Sequence, residues 1–209
     1  MAQIINGLFP GELYPDATIG GCINIYENAW PDTDLTIKNL EDACADPDSG
    51  VSWQRAETIG HGINQDARTN YNLNVTHMAQ ATGNQTAANI HNQFYTMLLA
   101  AVAPYTKKYG INETLYHEHY NVLRYRGGQE YHAHYDGGTD IGRCISAICY
   151  LNDEYEGGEI EFVNFGIKIK PEPGMLILFP SNYAYTHIAH PVTDGTKYAV
   201  VTWIKDRLL

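Results

Sequence analysis

The feature that most constrains this chain is the run of short β segments, punctuated by glycine, proline and aspartate, that fills it from about residue 114 onward. Residues 115–125 lead into Gly127-Gly128, 131–136 into Gly137-Gly138, and 159–165 follow Gly157-Gly158. Residues 144–151 and 175–179 are almost continuously apolar, 167–170 alternate, and 198–204 close the chain. About seven strands of this length, with turn residues between them, predict a sandwich or jelly roll.

The N-terminal half reads differently. Residues 1–31 predict a strand or arm with loops, and 36–47 carry apolar positions at helical spacing until Pro47 ends the run. Residues 48–83 are polar and rich in asparagine, which predicts an irregular segment. In 85–108, Ile90, Phe94, Leu98, Ala101 and Val102 recur every three or four residues, with Pro104 near the end of the predicted helix. A helical part (about 1–112) beside an all-β part (about 113–209) points to an α+β fold. No repeat or linker interrupts the chain, and its 209 residues suit one domain.

The net charge of −11 argues against wrapping a nucleic-acid backbone and mildly favours neutral or basic partners. No stretch approaches the roughly 18–20 apolar residues of a membrane span. The first ten residues lack a basic start and a long apolar run, so a cytoplasmic protein without a leader is expected. Cys22, Cys44, Cys144 and Cys149 form no zinc or redox motif. Cys144 and Cys149 are an odd number apart and face opposite sides of a strand, so free thiols are expected.

The chemistry-bearing residues lie in the β half. On a strand, residues two apart share a face, so His134 and Asp136 can reach one ion together. His187 arrives from a later strand, and Lys197 follows ten residues on, across an expected turn at Thr193-Asp194-Gly195. Two histidines and a carboxylate can hold iron(II) on one face and leave the opposite positions open. His190 competes with His187 for the third place. His132 shares the strand face of His134 and is expected to line the cleft or support it. Lys197, Ala199, Val201 and Trp203 share a strand face, and a lysine ending an apolar row needs an anion.

The stretch Tyr125-Arg-Gly-Gly-Gln-Glu-Tyr131-His-Ala-His134-Tyr-Asp136 resembles the Tyr-x-x-Gly-x-x-Tyr-x-x-His-x-Asp pattern of the iron(II)/2-oxoglutarate-dependent dioxygenases, within them the prolyl 4-hydroxylase group. The likeness continues through Tyr150-Leu-Asn, Glu156-Gly-Gly-Glu, Pro173-Gly-Met, His187-Ile-Ala-His-Pro-Val192, Gly195-Thr-Lys197-Tyr and Trp203. It covers about 114–205; the segment between Asp136 and Cys144 is shorter than in many relatives.

This resemblance implies a double-stranded β-helix holding Fe(II) through His134, Asp136 and His187. It further implies that 2-oxoglutarate and O2 are consumed to give succinate and CO2, with ascorbate in support. It places Lys197, Tyr150 and Tyr125 at the cosubstrate, and Tyr131, Trp203 and Arg143 at the substrate. Aromatic walls suit a proline ring, so hydroxylation of peptidyl proline at the 4-position is the expected activity. A free amino acid, a nucleic-acid base and a non-enzymatic binding role are the alternatives.

Overall fold

The computed structural model describes residues 3–4, 11–57, 62–138 and 142–206. Strands β1 (Gln3–Ile4), β2 (Ala17–Ile19) and β3 (Ile23–Tyr26) precede α1 (Thr33–Ala45). Then come β4 (Gln54–Arg55), β5 (Tyr71–Asn74), α2 (Val75–Thr82) and α3 (Gln85–Tyr109). The β half holds β6 (Tyr116–His117), β7 (Asn121–Arg126), β8 (Tyr131–His134), β9 (Arg143–Tyr150) and β10 (Tyr155–Gly157). It ends with β11 (Ile160–Phe162), β12 (Ile167–Ile169), β13 (Leu176–Pro180), β14 (His187–Ala189) and β15 (Val192–Lys205).

Two antiparallel sheets face each other. The larger runs β2-β3-β13-β9-β15-β7-β5-β4, with β1, β6 and β10 attached, and the smaller runs β12-β11-β14-β8. The architecture is the jelly roll that the strand pattern predicts, in the double-stranded β-helix form that the resemblance implies. On the larger sheet the register sorts the faces. Val200, Val122, Ala147, Cys149 and Leu178 point to the helices, where Leu40, Phe94 and Leu98 bury against them. Ala199, Tyr150, Ile177 and Phe179 point the other way and meet Ile160 and Phe162 of the smaller sheet. Period-two alternation thus builds two cores from one set of strands.

Helix α3 begins at Asn84, whose side chain accepts from the Ala87 N–H, and ends at Gly110 in the left-handed region. Pro104 lies inside the helix and cannot bond the Ala100 carbonyl. The Leu13 N–H takes that carbonyl instead at 2.9 Å, so the N-terminal arm is tied to the helix.

Two expectations are corrected. The 48–83 stretch holds β4, β5 and α2, because Leu73 and Val75 are fully buried anchors in an otherwise polar run. Thr193-Asp194-Gly195 is no turn but part of β15, paired with β10 through Gly195–Tyr155 and Asp194–Glu156. Residues 58–61 of the polar stretch, 139–141 of the loop after Asp136, and most of the first ten residues lie outside the described residues. All four cysteines are free. Among the described residues, no helix is long and apolar enough to cross a membrane.

Candidate active site

The mouth of the sandwich is built where the two sheets part. His134 ends β8 and pairs directly across to His187, the first residue of β14. Asp136 lies two residues past the end of β8, so it is a loop residue rather than the strand residue its spacing predicts. The ligand atoms of the three side chains all lie within 4.8 Å of one another. Nε2 of His134 is 3.5 Å from Asp136 Oδ1, and Nε2 of His187 is 3.7 Å from Asp136 Oδ2.

Hydrogen bonds set the protonation of this trio. The other ring nitrogen of each histidine faces a backbone carbonyl: Nδ1 of His134 meets His132 O at 2.8 Å, and Nδ1 of His187 meets Tyr185 O at 3.1 Å. A carbonyl only accepts, so each Nδ1 carries a hydrogen, and Nε2 is the ring atom that each histidine turns toward Asp136. Burial lowers the His187 imidazole to about 4, against the pull of Asp136, and keeps it neutral near pH 7. Burial alone would raise the Asp136 carboxyl, but His187, His134 and the Ser146 hydroxyl hold it below the ordinary carboxylate range. The site therefore brings two imidazoles, that of His187 neutral, to one carboxylate.

His190 is elsewhere: its Nε2 bonds Glu161 at 2.6 Å on the outside of the smaller sheet. His132 turns its ring to solvent and Glu130, and its carbonyl faces Nδ1 of His134.

A cleft of about 1220 Å³ opens beside the trio. Lys197 lies at its inner end, 2% exposed, and donates to the Gly158 carbonyl at 2.5 Å. Its ammonium sits 5.3, 5.0 and 6.0 Å from the rings of Tyr125, Tyr150 and Tyr155. No carboxylate touches it among the described residues. Burial, with Lys170 nearby, brings the Lys197 ammonium down to about 7, although Glu159 opposes this. The Gly158 carbonyl reaches Lys197 because Gly157 adopts φ +72°, where a Cβ would lie 2.2 Å from the Pro191 oxygen.

Tyr131 and Trp203 both line the cleft. The Tyr131 ring stacks on His134 at 3.5 Å between centroids. Arg143 also lines it, but its guanidinium is engaged: Nε and one terminal nitrogen donate to Glu118 at 2.8 and 2.7 Å, and the group lies 3.7 Å over Trp203.

Four contributors were not singled out from sequence. Ser146 bonds Asp136, and Ser181 bonds Ser146. Glu118 holds Arg143. Tyr155 joins the rings around Lys197, its buried hydroxyl without a partner among the described residues. Ser146 was findable, because it shares a strand face with Ile148 and Tyr150. Glu118 was not, since it pairs across 25 residues.

Known proteins share these features. Residues 120–205 match the 2OG-Fe(II) oxygenase superfamily. The probable prolyl 4-hydroxylase 9 of Arabidopsis thaliana is 35% identical over 119 residues, which is 43% of this chain and 41% of that protein. Human prolyl 3-hydroxylase 2 is 39% identical over 66 residues, 29% of this chain and 9% of that protein. The chain spans less than half the length of these curated relatives. A prolyl hydroxylase from Trichoplax adhaerens, solved with a hypoxia inducible factor peptide fragment, superposes with a TM-score of 0.71 at 19% identity, covering 90% of this chain and 84% of that one. That likeness establishes the fold. Residues 120–205 thus resemble a 2OG-Fe(II) oxygenase domain, a family whose description names 2-oxoglutarate and Fe(II).

Proposed function

We propose that this protein hydroxylates peptidyl proline at the 4-position, consuming 2-oxoglutarate and O2 and releasing succinate and CO2. The observation that carries this reading is the pairing of two elements at one cleft: the His134–Asp136–His187 trio, and a buried lysine with no carboxylate in contact. Two imidazoles and an ionised carboxylate suit a divalent iron with open positions. A buried ammonium facing a cleft suits the far carboxylate of a dicarboxylic acid.

Iron(II) held by His134, Asp136 and His187 would activate O2, the oxidant, for attack on an unactivated C–H bond. The chain's own residues do the rest. Backbone carbonyls at His132 and Tyr185 fix both histidine tautomers. Ser146 orients Asp136. Lys197 holds the cosubstrate by its charge, and Tyr150 and Tyr125 line the same end of the cleft with buried hydroxyl-bearing rings. Leu123, Ile148, Ala199 and Val201 form an apolar wall that keeps water from the reacting atoms. Tyr131 and Trp203 offer flat faces to a proline ring.

Relatives named as prolyl 4- and 3-hydroxylases support proline as the target. The 4-position, support by ascorbate, an absence of nucleic-acid or membrane partners, and a cytoplasmic setting belong to the same proposal. The four free thiols fit a reducing setting. We also read residues 1–209 as one domain, since strands from both halves join the larger sheet. The test is turnover of short unstructured proline peptides with Fe(II) and 2-oxoglutarate, followed by separation of 3- from 4-hydroxyproline. Turnover of free amino acids with none of any proline peptide would overturn the substrate assignment.

A further inference from the structure

We propose that Arg68 forms a carboxylate subsite that selects peptides bearing an aspartate or glutamate about two or three residues from the hydroxylated proline. The proposal rests on the peptide reading above for its substrate class.

The first observation is charge. The chain has 13 lysines and arginines against 24 acidic residues. The cleft reverses this balance, with Arg55, Arg68, Arg143 and Lys197 lining it against Glu57 and Asp136. A negative protein with a positive cleft attracts a negative ligand there. The net charge alone had pointed to neutral or basic partners, because it averages over a surface that the substrate never touches.

The second observation is that Arg68 alone of the three arginines is both buried and without a counter-ion among the described residues. Arg143 has Glu118, and Arg55 is exposed. Arg68 is 9% exposed, and its bonds go to neutral oxygens: Nε to Asn70 Oδ1 at 2.7 Å and one terminal nitrogen to the Glu57 carbonyl at 3.2 Å. A buried guanidinium held by dipoles keeps its full charge and lacks an anion.

The third observation is rigidity. Asn70 is fully buried, and its amide nitrogen bonds the Tyr71 carbonyl, so the acceptor holding Arg68 is itself fixed. Residues 67–69 are stitched to β8 by His132 N–H to Ala67 O, Thr69 N–H to Glu130 O, and Glu130 N–H to Thr69 Oγ1. The guanidinium carbon lies 4.7 Å from the Tyr131 ring, which stacks on His134. Arg68 is therefore one aromatic ring away from the metal trio. An extended chain advances about 3.3 Å per residue, which sets the spacing of about two or three residues between proline and acid.

A bland role is that Arg68 only braces Tyr131. Such a brace would affect all peptides alike, whereas a carboxylate subsite distinguishes aspartate from asparagine. The experiment is fluorescence anisotropy with Mn(II)-loaded protein and labelled, acetylated and amidated peptides. Each has one central proline and a single Asp or Asn two or three residues to either side. We expect the Asp peptide to bind about 10-fold more tightly than its Asn twin in at least one register. Arg68→Gln should remove that difference and Arg68→Lys should retain part of it. Equal binding of every Asp–Asn pair by the wild type, or a preference that survives Arg68→Gln, overturns the subsite. A gain seen only with a free C-terminus would assign the carboxylate to a chain end and overturn the side-chain version. Mass spectrometry of the same peptides after incubation with Fe(II)-loaded protein, 2-oxoglutarate and O2 keeps the two claims apart. An Asp preference without proline oxidation sinks the hydroxylase reading and leaves the subsite, and oxidation without preference does the reverse.

Discussion

Ser146, on the central strand β9, donates its hydroxyl hydrogen to Oδ2 of Asp136 at 2.7 Å and lies 2.8 Å from the Ser181 hydroxyl. Asp136 stands beyond the end of β8, where no strand ladder fixes it, so this bond from the opposite sheet sets the direction of the carboxylate. Losing such an outer contact typically weakens metal binding about 10- to 100-fold. Ser146→Ala should therefore weaken Mn(II) binding within that range, as read by titration calorimetry. An unchanged affinity would show that Asp136 is oriented without it.

The third ligand is tested by comparing two histidines three residues apart. His187 pairs with His134 across the sheets' mouth, while His190 bonds Glu161 on the outer side. His187→Ala should abolish both Mn(II) binding and 2-oxoglutarate consumption, whereas His190→Ala should keep most of each. The reverse pattern would reassign the site.

Lys197 carries a pH signature. Its ammonium titrates near 10.4 when unfolded and at about 7 in the ligand-free fold, because burial disfavours the charge. Between these values the unfolded chain holds a proton that the folded protein lacks. Stability from this group therefore falls as pH drops through the window, and the loss is complete below about 7. Binding a dicarboxylate restores the charge, so 2-oxoglutarate binding near about pH 8.5 should take up close to one proton. Calorimetry in two buffers of different ionisation enthalpy reads this directly. Lys197→Arg should bind without uptake, because a guanidinium stays protonated. Lys197→Ala should lose about 30-fold or more in affinity, the cost of a buried charge-assisted contact.

The strand alternation made a sandwich or jelly roll legible, since period-two patterning states which face each residue takes, and the resemblance supplied the double-stranded β-helix. His134 and Asp136 were legible as a pair because they lie two residues apart, whereas His187 and Lys197, on later strands, were set beside them by their order in the sequence and by the resemblance. What stayed hidden depends on long-range pairing. Glu118 meets Arg143 only through the fold, and Arg68 reaches Tyr131 through an isolated bridge between a polar loop and β8. The polar 48–83 stretch looked irregular because each of its strands is short and only one residue of β5, Leu73, is buried.

Arg143 was expected at the substrate; it lines the cleft, where Glu118 and Trp203 hold its guanidinium. Arg143→Ala strips a partly buried carboxylate of its bidentate partner and leaves it only Lys205 at 3.2 Å. The cost should be about 2 kcal/mol in a denaturant midpoint measurement, below the 3–5 kcal/mol of a fully buried pair. Trp203→Ala and Tyr131→Ala should instead lower peptide turnover more than uncoupled 2-oxoglutarate decay. Equal losses in both would place these rings in structural support alone.

The central claim is that one cleft couples cosubstrate breakdown to oxidation of a peptidyl proline. The most direct measurement is a single incubation of the Fe(II)-loaded protein with 2-oxoglutarate, a proline peptide and oxygen-18 gas, followed by mass spectrometry of both products. The account predicts one heavy oxygen in succinate and one in the hydroxylated proline, with neither formed by His187→Ala. Label in succinate with an unmodified peptide across all proline sequences would contradict the substrate, and no 2-oxoglutarate consumption at all would contradict the site.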